Sequence, residues 1–346
     1  MVDINECIGT EILLSGFGDE ASKKQLVKDP DDFIKTMMEL QIPGLTHRFV
    51  DGGDEANITN SRVARWVQEI AQKTREKYGR QIFCSGTAVG KSKLLDYDDA
   101  NKKAKFMPEA EMLDHAKRVS ENTAHLGAPL ARGFTFYNEA GKDFTHSDFQ
   151  MALDYTGKVA EIFKANHQLY GIENEAGLAV HDANSMIRFI TALRQSGLEN
   201  VVGILDLGNF NALGLDPVAE ALKVIEHEPI LIVGFHAKAN SMRVAGGVTA
   251  AQEHLVENYV PIGQDTNGTN YHGFLEPFAD KLPAINEYIA GLRGQGYPLL
   301  GTLGDLEPHV KGAGQFGGYS GPDGMEEARD GLLGGYRMFG ISCVRG

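Results

Sequence analysis

Four side chains set the question. Glu173 closes the run LYGIE, Asp206 closes VVGILD, His236 closes ILIVGFH, and Glu307 follows LLGTLGDL. Each apolar or β-branched run reads as a strand, so each group sits at or just past a strand end. Three carboxylates and one imidazole gathered at one point would suit a divalent ion such as Mn, Mg, Co or Zn. Positions would be left on that ion for water or substrate. Taken singly, each has a plainer reading. An Asp after a strand caps a helix, a His in an apolar strand is a satisfied core residue, and a Glu in a loop is solvated. Their order on successive runs is what points to a site.

The elements that must position them alternate along the chain. Strands are expected at Glu11–Phe17, Gly44–Phe49, Gln81–Ser85, Ala131–Tyr137, Gln168–Asn174, Val201–Asp206, Ile230–His236 and Pro298–Gly304. Helical apolar spacing fills Asp31–Leu40, Ser61–Tyr78, Glu109–His125, Ser147–Asn166, Ala183–Gln195 and Ala279–Leu292. Asp182 or Asn184 could cap the fifth of these through a side-chain oxygen. Repeated βα units argue for a parallel sheet, and eight of them suggest a single (β/α)8 TIM barrel. An open α/β sheet is the alternative. In a barrel the active face lies at the C-terminal strand ends, where the four groups fall. Two segments break the alternation: a long insertion at about 239–280 and the glycine-rich Lys311–Gly324.

The 346 residues are ample for one such domain, which typically needs about 250. A net charge of -14 opposes binding to a phosphate backbone, so no nucleic-acid partner is expected. No apolar stretch approaches the roughly 20 residues that span a bilayer, so no membrane partner is expected either. Cys7, Cys84 and Cys343 lack metal or redox spacing and read as reduced thiols. With Asp3 and Glu6 where a secretion signal needs basic residues, a cytoplasmic location is expected.

The chain resembles the sugar phosphate isomerase/epimerase family, the xylose isomerase-like barrels that include the endonuclease IV type (AP endonuclease family 2). The segments that carry this are LSGFGDEAS, LTHRFVDGG, SGTAVGKSKL, HLGAPLARGFTFY, IENE, LDLGNF, GFHAKA, LEPH and FGGYSGPDG, in that order along nearly the whole chain. The resemblance implies Glu173, Asp206, His236 and Glu307 as ligands of one divalent metal ion, manganese first. It also implies Glu173 and Glu307 as the pair that exchanges protons with substrate through an enediolate. Arg48, Lys91, Glu175, Asn209, Lys238 and Arg243 are candidate substrate-binding residues; His47 and Arg132 could reach the same mouth. Lys238 and Glu175 lie two residues beyond His236 and Glu173, on the same side of their strands.

There are departures from familiar members. Asn209 stands where many epimerases carry a His, and Met242 stands where ketose epimerases place an Arg, with Arg243 adjacent. The resemblance therefore implies an isomerase or epimerase of a sugar or keto-sugar derivative. The alternative is a lyase or hydratase acting on a 3-keto-glycoside or related oxidised sugar. A three-zinc nuclease needs further His and carboxylate ligands, and Asn209 replaces one of them. A binding protein without catalysis would have little use for the four-residue set. The expected partner is a small-molecule sugar, and a homo-oligomer fits the family habit.

Overall fold

The computed structural model describes residues 105–139, 142–240, 262–297, 301–306 and 321–344 continuously. Shorter described pieces are 11–17, 35, 39–42, 44–46, 49–50, 54–55, 68–69, 72–73, 75–76, 81–85, 92–97, 260, 310–311 and 319–320.

Eight parallel strands form the sheet: β1 Glu11–Phe17, β2 Gly44–Thr46, β3 Gln81–Ser85, β4 Leu130–Gly133, β5 Leu169–Glu173, β6 Val201–Asp206, β7 Ile232–Ala237 and β8 Thr302–Leu306. They pair in sequence order, and β8 then pairs with β1 from Ile12↔Thr302 to Gly16↔Leu306. That last pairing closes the sheet into a barrel and excludes the open-sheet alternative. A ninth strand, β9 Ser342–Val344, runs parallel to Glu11–Leu13 of β1, on the half of that strand that β2 leaves uncovered. Strands β4 to β8 are buried along their whole length. That is why VVGILD and IVGFHA read as continuous apolar runs and not as alternation.

Helices α1 Glu109–Leu126, α2 His146–Ala165, α3 Ala183–Gln195, α4 Leu207–Ala212, α5 Pro217–His227, α6 Tyr271–Gly294 and α7 Gly321–Met338 fill most of the connections after β3. The third buries Ala183, Met186, Phe189, Ile190 and Leu193, the spacing of one helical face. Its cap is Asp182, whose side chain accepts from Ser185 N while Ser185 Oγ accepts from Asp182 N. Thr145 and Asp148 make the same reciprocal box at α2.

Several boundaries differ from the sequence expectation, each for a physical reason. Strand β4 ends at Gly133, although FTFY continues the apolar run. Phe134 and Phe136 are buried beyond the strand's end, so their hydrophobicity serves packing and not the ladder. Strand β7 starts at Ile232 because Pro229–Leu231 forms a 3-10 turn. Strand β8 runs Thr302–Leu306, so it includes Asp305, which had been read as lying past the strand. Helix α6 begins at Tyr271, inside the expected insertion, and carries Pro277 and Pro283 within it. The described part of that insertion is tied to the end of β7: Val260 N donates to Ala239 O, and Thr269 N to Asn240 O. Helix α7 starts within the expected glycine-rich segment, at Gly321. The short α4 and α5 were not expected. Of the two early helices expected at Asp31–Leu40 and Ser61–Tyr78, the described residues within them are helical up to Glu39 and at six positions respectively.

The barrel interior below the strand ends is tightly filled. A Cβ on Gly234 would lie 2.2 Å from Leu303 O and 2.5 Å from Leu303 Cβ, so β7 and β8 could not keep their register with a larger residue there. Gly234→Ala is expected to lower stability and to disturb His236, two residues on; chemical denaturation checks the first. Asp182→Ala is expected to cost about 1 kcal/mol. Burial opposes ionisation of Asp182, but the Ser185 hydrogen bonds outweigh it and hold the carboxyl below its usual value. The cap's contribution is thus present above the unfolded carboxylate range and lost as pH falls through the folded value. The stability difference between wild type and Asp182→Ala should narrow in acid.

Candidate metal centre

Three consecutive strands supply the clustered groups, as their ends meet at the C-terminal mouth. Glu173 is the last residue of β5 and Asp206 the last of β6; His236 is the penultimate residue of β7. One ligand atom from each lies within 4.8 Å of the others, and all three residues are buried. The register explains the meeting. Asp206 and His236 are Cα partners across β6 and β7, and His236 and Asp305 are partners across β7 and β8. Partnered residues on parallel strands project to the same face.

Burial of this much charge requires compensation. Arg132, from β4, places Nη1 3.0 Å from Glu173 Oε2, with both side chains 3% exposed. Lys238 Nζ lies 2.9 Å from Asp206 Oδ2 and donates to Asn209 Oδ1 at 2.9 Å. Asn209 in turn directs Nδ2 to Asn174 O at 2.8 Å and to Glu173 Oε1 at 3.3 Å. His236 Nδ1 is 3.3 Å from the same Glu173 oxygen. On its other edge, His236 Nε2 is 3.8 Å from Asp305 Oδ2.

The backbone around the cluster is fixed by side chains. Asn174 Nδ2 donates to Asp206 O, and Asp206 N donates to Asn174 Oδ1, so one amide clasps the end of β5 to the end of β6. The Tyr271 hydroxyl donates to His236 O and accepts from Lys238 N at 3.0 Å. Its phenol is pushed well above the usual tyrosine value, first by burial and then by the Asp206 charge. Asp265 supports Tyr271 by accepting from its backbone N at 2.8 Å and from Thr269 Oγ1 at 2.7 Å. Asp206 combines two roles. Its Oδ1 caps α4 through Asn209 N at 3.0 Å, while Oδ2 faces Lys238.

Of the residues expected from sequence, the structure gathers Glu173, Asp206, His236, Asn209, Lys238 and Arg132. Glu175 is half-buried and belongs to the turn beyond β5, where its backbone bonds to Val180 and Leu178. Glu307, Arg48, Lys91, Arg243 and His47 lie outside the described residues. Asp305 was missed, and so were the clasp Asn174 and the support Tyr271. An Asp two residues before Glu307 shares its strand face by simple alternation, a signal the sequence carries once β8 is placed correctly.

The donors fit a divalent ion. Carboxylate oxygens and an imidazole nitrogen suit Mg, Mn, Co or Zn. The buried carboxylates Glu173, Asp206 and Asp305 lie beside one imidazole, with Arg132 on Glu173 and Lys238 on Asp206.

No family model matches the chain, and no curated protein matches it in sequence. Solved structures do match in fold. The IolI protein, solved with a bound zinc atom, is 12% identical, with TM-score 0.61 over 94% of this chain and 99% of its own. The 3-keto-D-glucoside 4-epimerase YcjR from E. coli is 10% identical, with TM-score 0.55 over 94% and 100%. The probable 3-DHS dehydratase AsbF from Bacillus anthracis is 14% identical, with TM-score 0.58 over 93% and 99%. The fold is therefore that of the xylose isomerase-like TIM barrels. Among the described residues, no helix is long and apolar enough to cross a membrane.

Removing Arg132 alone would leave the Glu173 carboxylate buried beside fewer positive charges. Arg132→Met is expected to cost about 3–5 kcal/mol. Adding Glu173→Gln should recover part of that loss. Equal stability of the single and double variants in urea melts would contradict the pairing.

Proposed function

We propose that the protein is a divalent-metal-dependent isomerase or epimerase of a sugar or keto-sugar derivative. The observation that supports this most directly is the buried Glu173, Asp206 and His236 group at the C-terminal mouth of the barrel. In this reading Glu307 is the fourth ligand, and manganese is the first expectation among Mn, Mg, Co and Zn. A bound divalent cation supplies Lewis acidity toward a carbonyl oxygen and its neighbouring hydroxyl, which acidifies the carbon between them.

The chain's own residues supply the rest. Glu173 is held by Arg132 on one oxygen and by Asn209 and His236 on the other, so its carboxylate is aimed without a rotamer search. It takes a proton from one face of the substrate carbon as general base. Glu307 returns a proton from the other face. Lys238 and Asn209 form a polar pair beside Asp206 that can bind a substrate hydroxyl or carbonyl oxygen. Arg48, Lys91, Glu175 and Arg243 complete the proposed substrate contacts.

A second reading is a lyase or hydratase on a 3-keto-glycoside or related oxidised sugar. It needs the same base, followed by loss of a β-substituent. The fold match to a probable dehydratase supports keeping it, beside the match to a keto-glucoside epimerase.

Incubation with a panel of ketoses and 3-keto-glycosides in heavy water, with each metal added, tests both. Deuterium should appear at the carbon beside the carbonyl, and Glu173→Gln should reduce exchange by about a hundredfold or more. An unchanged product composition marks an epimerase or isomerase; a lost substituent marks a lyase. No exchange across the panel would count against both.

A further inference from the structure

We propose that Asp305 is a positioning residue for His236, holding the imidazole in the tautomer whose proton is on Nε2 and leaving Nδ1 to the cation. This rests on the metal-centre reading above. Asp305 lies in β8 as the Cα partner of His236 in β7, and its side chain is fully buried. The ring is flanked edge to edge by two carboxylates. Glu173 Oε1 is 3.3 Å from Nδ1, and Asp305 Oδ2 is 3.8 Å from Nε2. Glu173 belongs to the group of ligand atoms within 4.8 Å of one another, whereas Asp305 does not. Nδ1 is therefore the ring atom on the ligand side, and Asp305 stands behind it.

A neutral imidazole carries one N–H, and the tautomer is set by what each nitrogen faces. A nitrogen that gives its lone pair to a cation cannot keep its proton, so the proton must sit on Nε2. There it points toward a carboxylate. At 3.8 Å the contact is electrostatic and not a hydrogen bond. With both side chains almost fully buried, that attraction is weakly screened. The same carboxylate raises the basicity of the ring as a ligand and fixes its orientation, as outer partners of metal-binding histidines commonly do. A role confined to holding β7 against β8 would not select between the two ring nitrogens, and this is what makes the proposal testable.

The experiment uses the full chain labelled with 15N and loaded with zinc, because without a cation the nearer Glu173 oxygen competes for the proton on Nδ1. Long-range proton–nitrogen correlations report each imidazole's tautomer, and His236→Gln identifies the His236 signals. Wild type should show the Nε2–H form, and Asp305→Ala should lose that preference. Zinc affinity, measured by competition with a chromophoric chelator, should fall about 10–100-fold in Asp305→Ala. Asp305→Asn keeps the shape and an acceptor oxygen; it should keep the tautomer and lose less affinity. Retention of both tautomer and affinity in a folded Asp305→Ala would overturn the proposal. If that variant does not fold, undiminished zinc affinity in Asp305→Asn overturns it instead. Should wild type bind no zinc, the metal-centre reading fails and the proposal with it, whereas a zinc-binding wild type matched by Asp305→Ala overturns the proposal alone.

Discussion

Three carboxylates and an imidazole meet inside a barrel that gives them almost no water, and the rest of the site follows from that cost. An isolated buried carboxylate would surrender its charge, since desolvation disfavours the ionised form. The structure answers with fixed partners. Arg132 reaches Glu173 from the neighbouring strand, and Lys238 reaches Asp206 from just past the next one. Carboxylate oxygens and an imidazole nitrogen drawn from successive strand ends form a donor set that suits a divalent cation.

Pairing of this kind works only if the strand ends hold still. The devices that hold them are amides and hydroxyls, which add no charge. Asn174 clasps the backbone of β6, and Tyr271 clasps the backbone on both sides of Ala237. Tyr271 is itself held by Asp265, in a loop tied back to Asn240 through Thr269. The connection after β7 therefore reaches the site through α6, and part of what looked like a loose insertion is a brace for His236. Beneath the cluster, Gly171 and Gly234 leave room for neighbouring side chains and backbone to fill the barrel.

Much of this was legible in the sequence. Val201–Asp206 and Ala183–Gln195 fall on the boundaries their apolar patterns indicate, because both elements are buried along a clear face or run. Glu173, Asp206 and His236 were legible from their order at successive strand ends and Lys238 from strand alternation, while Asn209 came from the family resemblance. Other features were hidden for identifiable reasons. The FTFY run hid the end of β4, since burial against the barrel mouth demands the same residue types as burial in a ladder. Pro277 disguised the first turns of α6. Asp305 was overlooked because β8 was placed a few residues too early, beside an adjacent Glu307 that already satisfied the pattern. Periodicity also could not show that β8 returns to β1; long-range pairing supplies that closure.

In the proposed reading, Asn209 and Met242 stand against a simple ketose substrate, while the carboxylate and imidazole groups suit an ion-binding centre. Asn209 shows how both can hold: it occupies the position beside Glu173 but contributes an amide that links Glu173, Asn174 and Lys238. The central claim is the mononuclear cation centre itself. Elemental mass spectrometry of the purified protein, beside Glu173→Ala, tests it most directly. The account expects about one equivalent of Mn, Co, Mg or Zn in wild type and its loss in the variant. No metal in wild type after incubation with each ion, or the same content in both proteins, would contradict it.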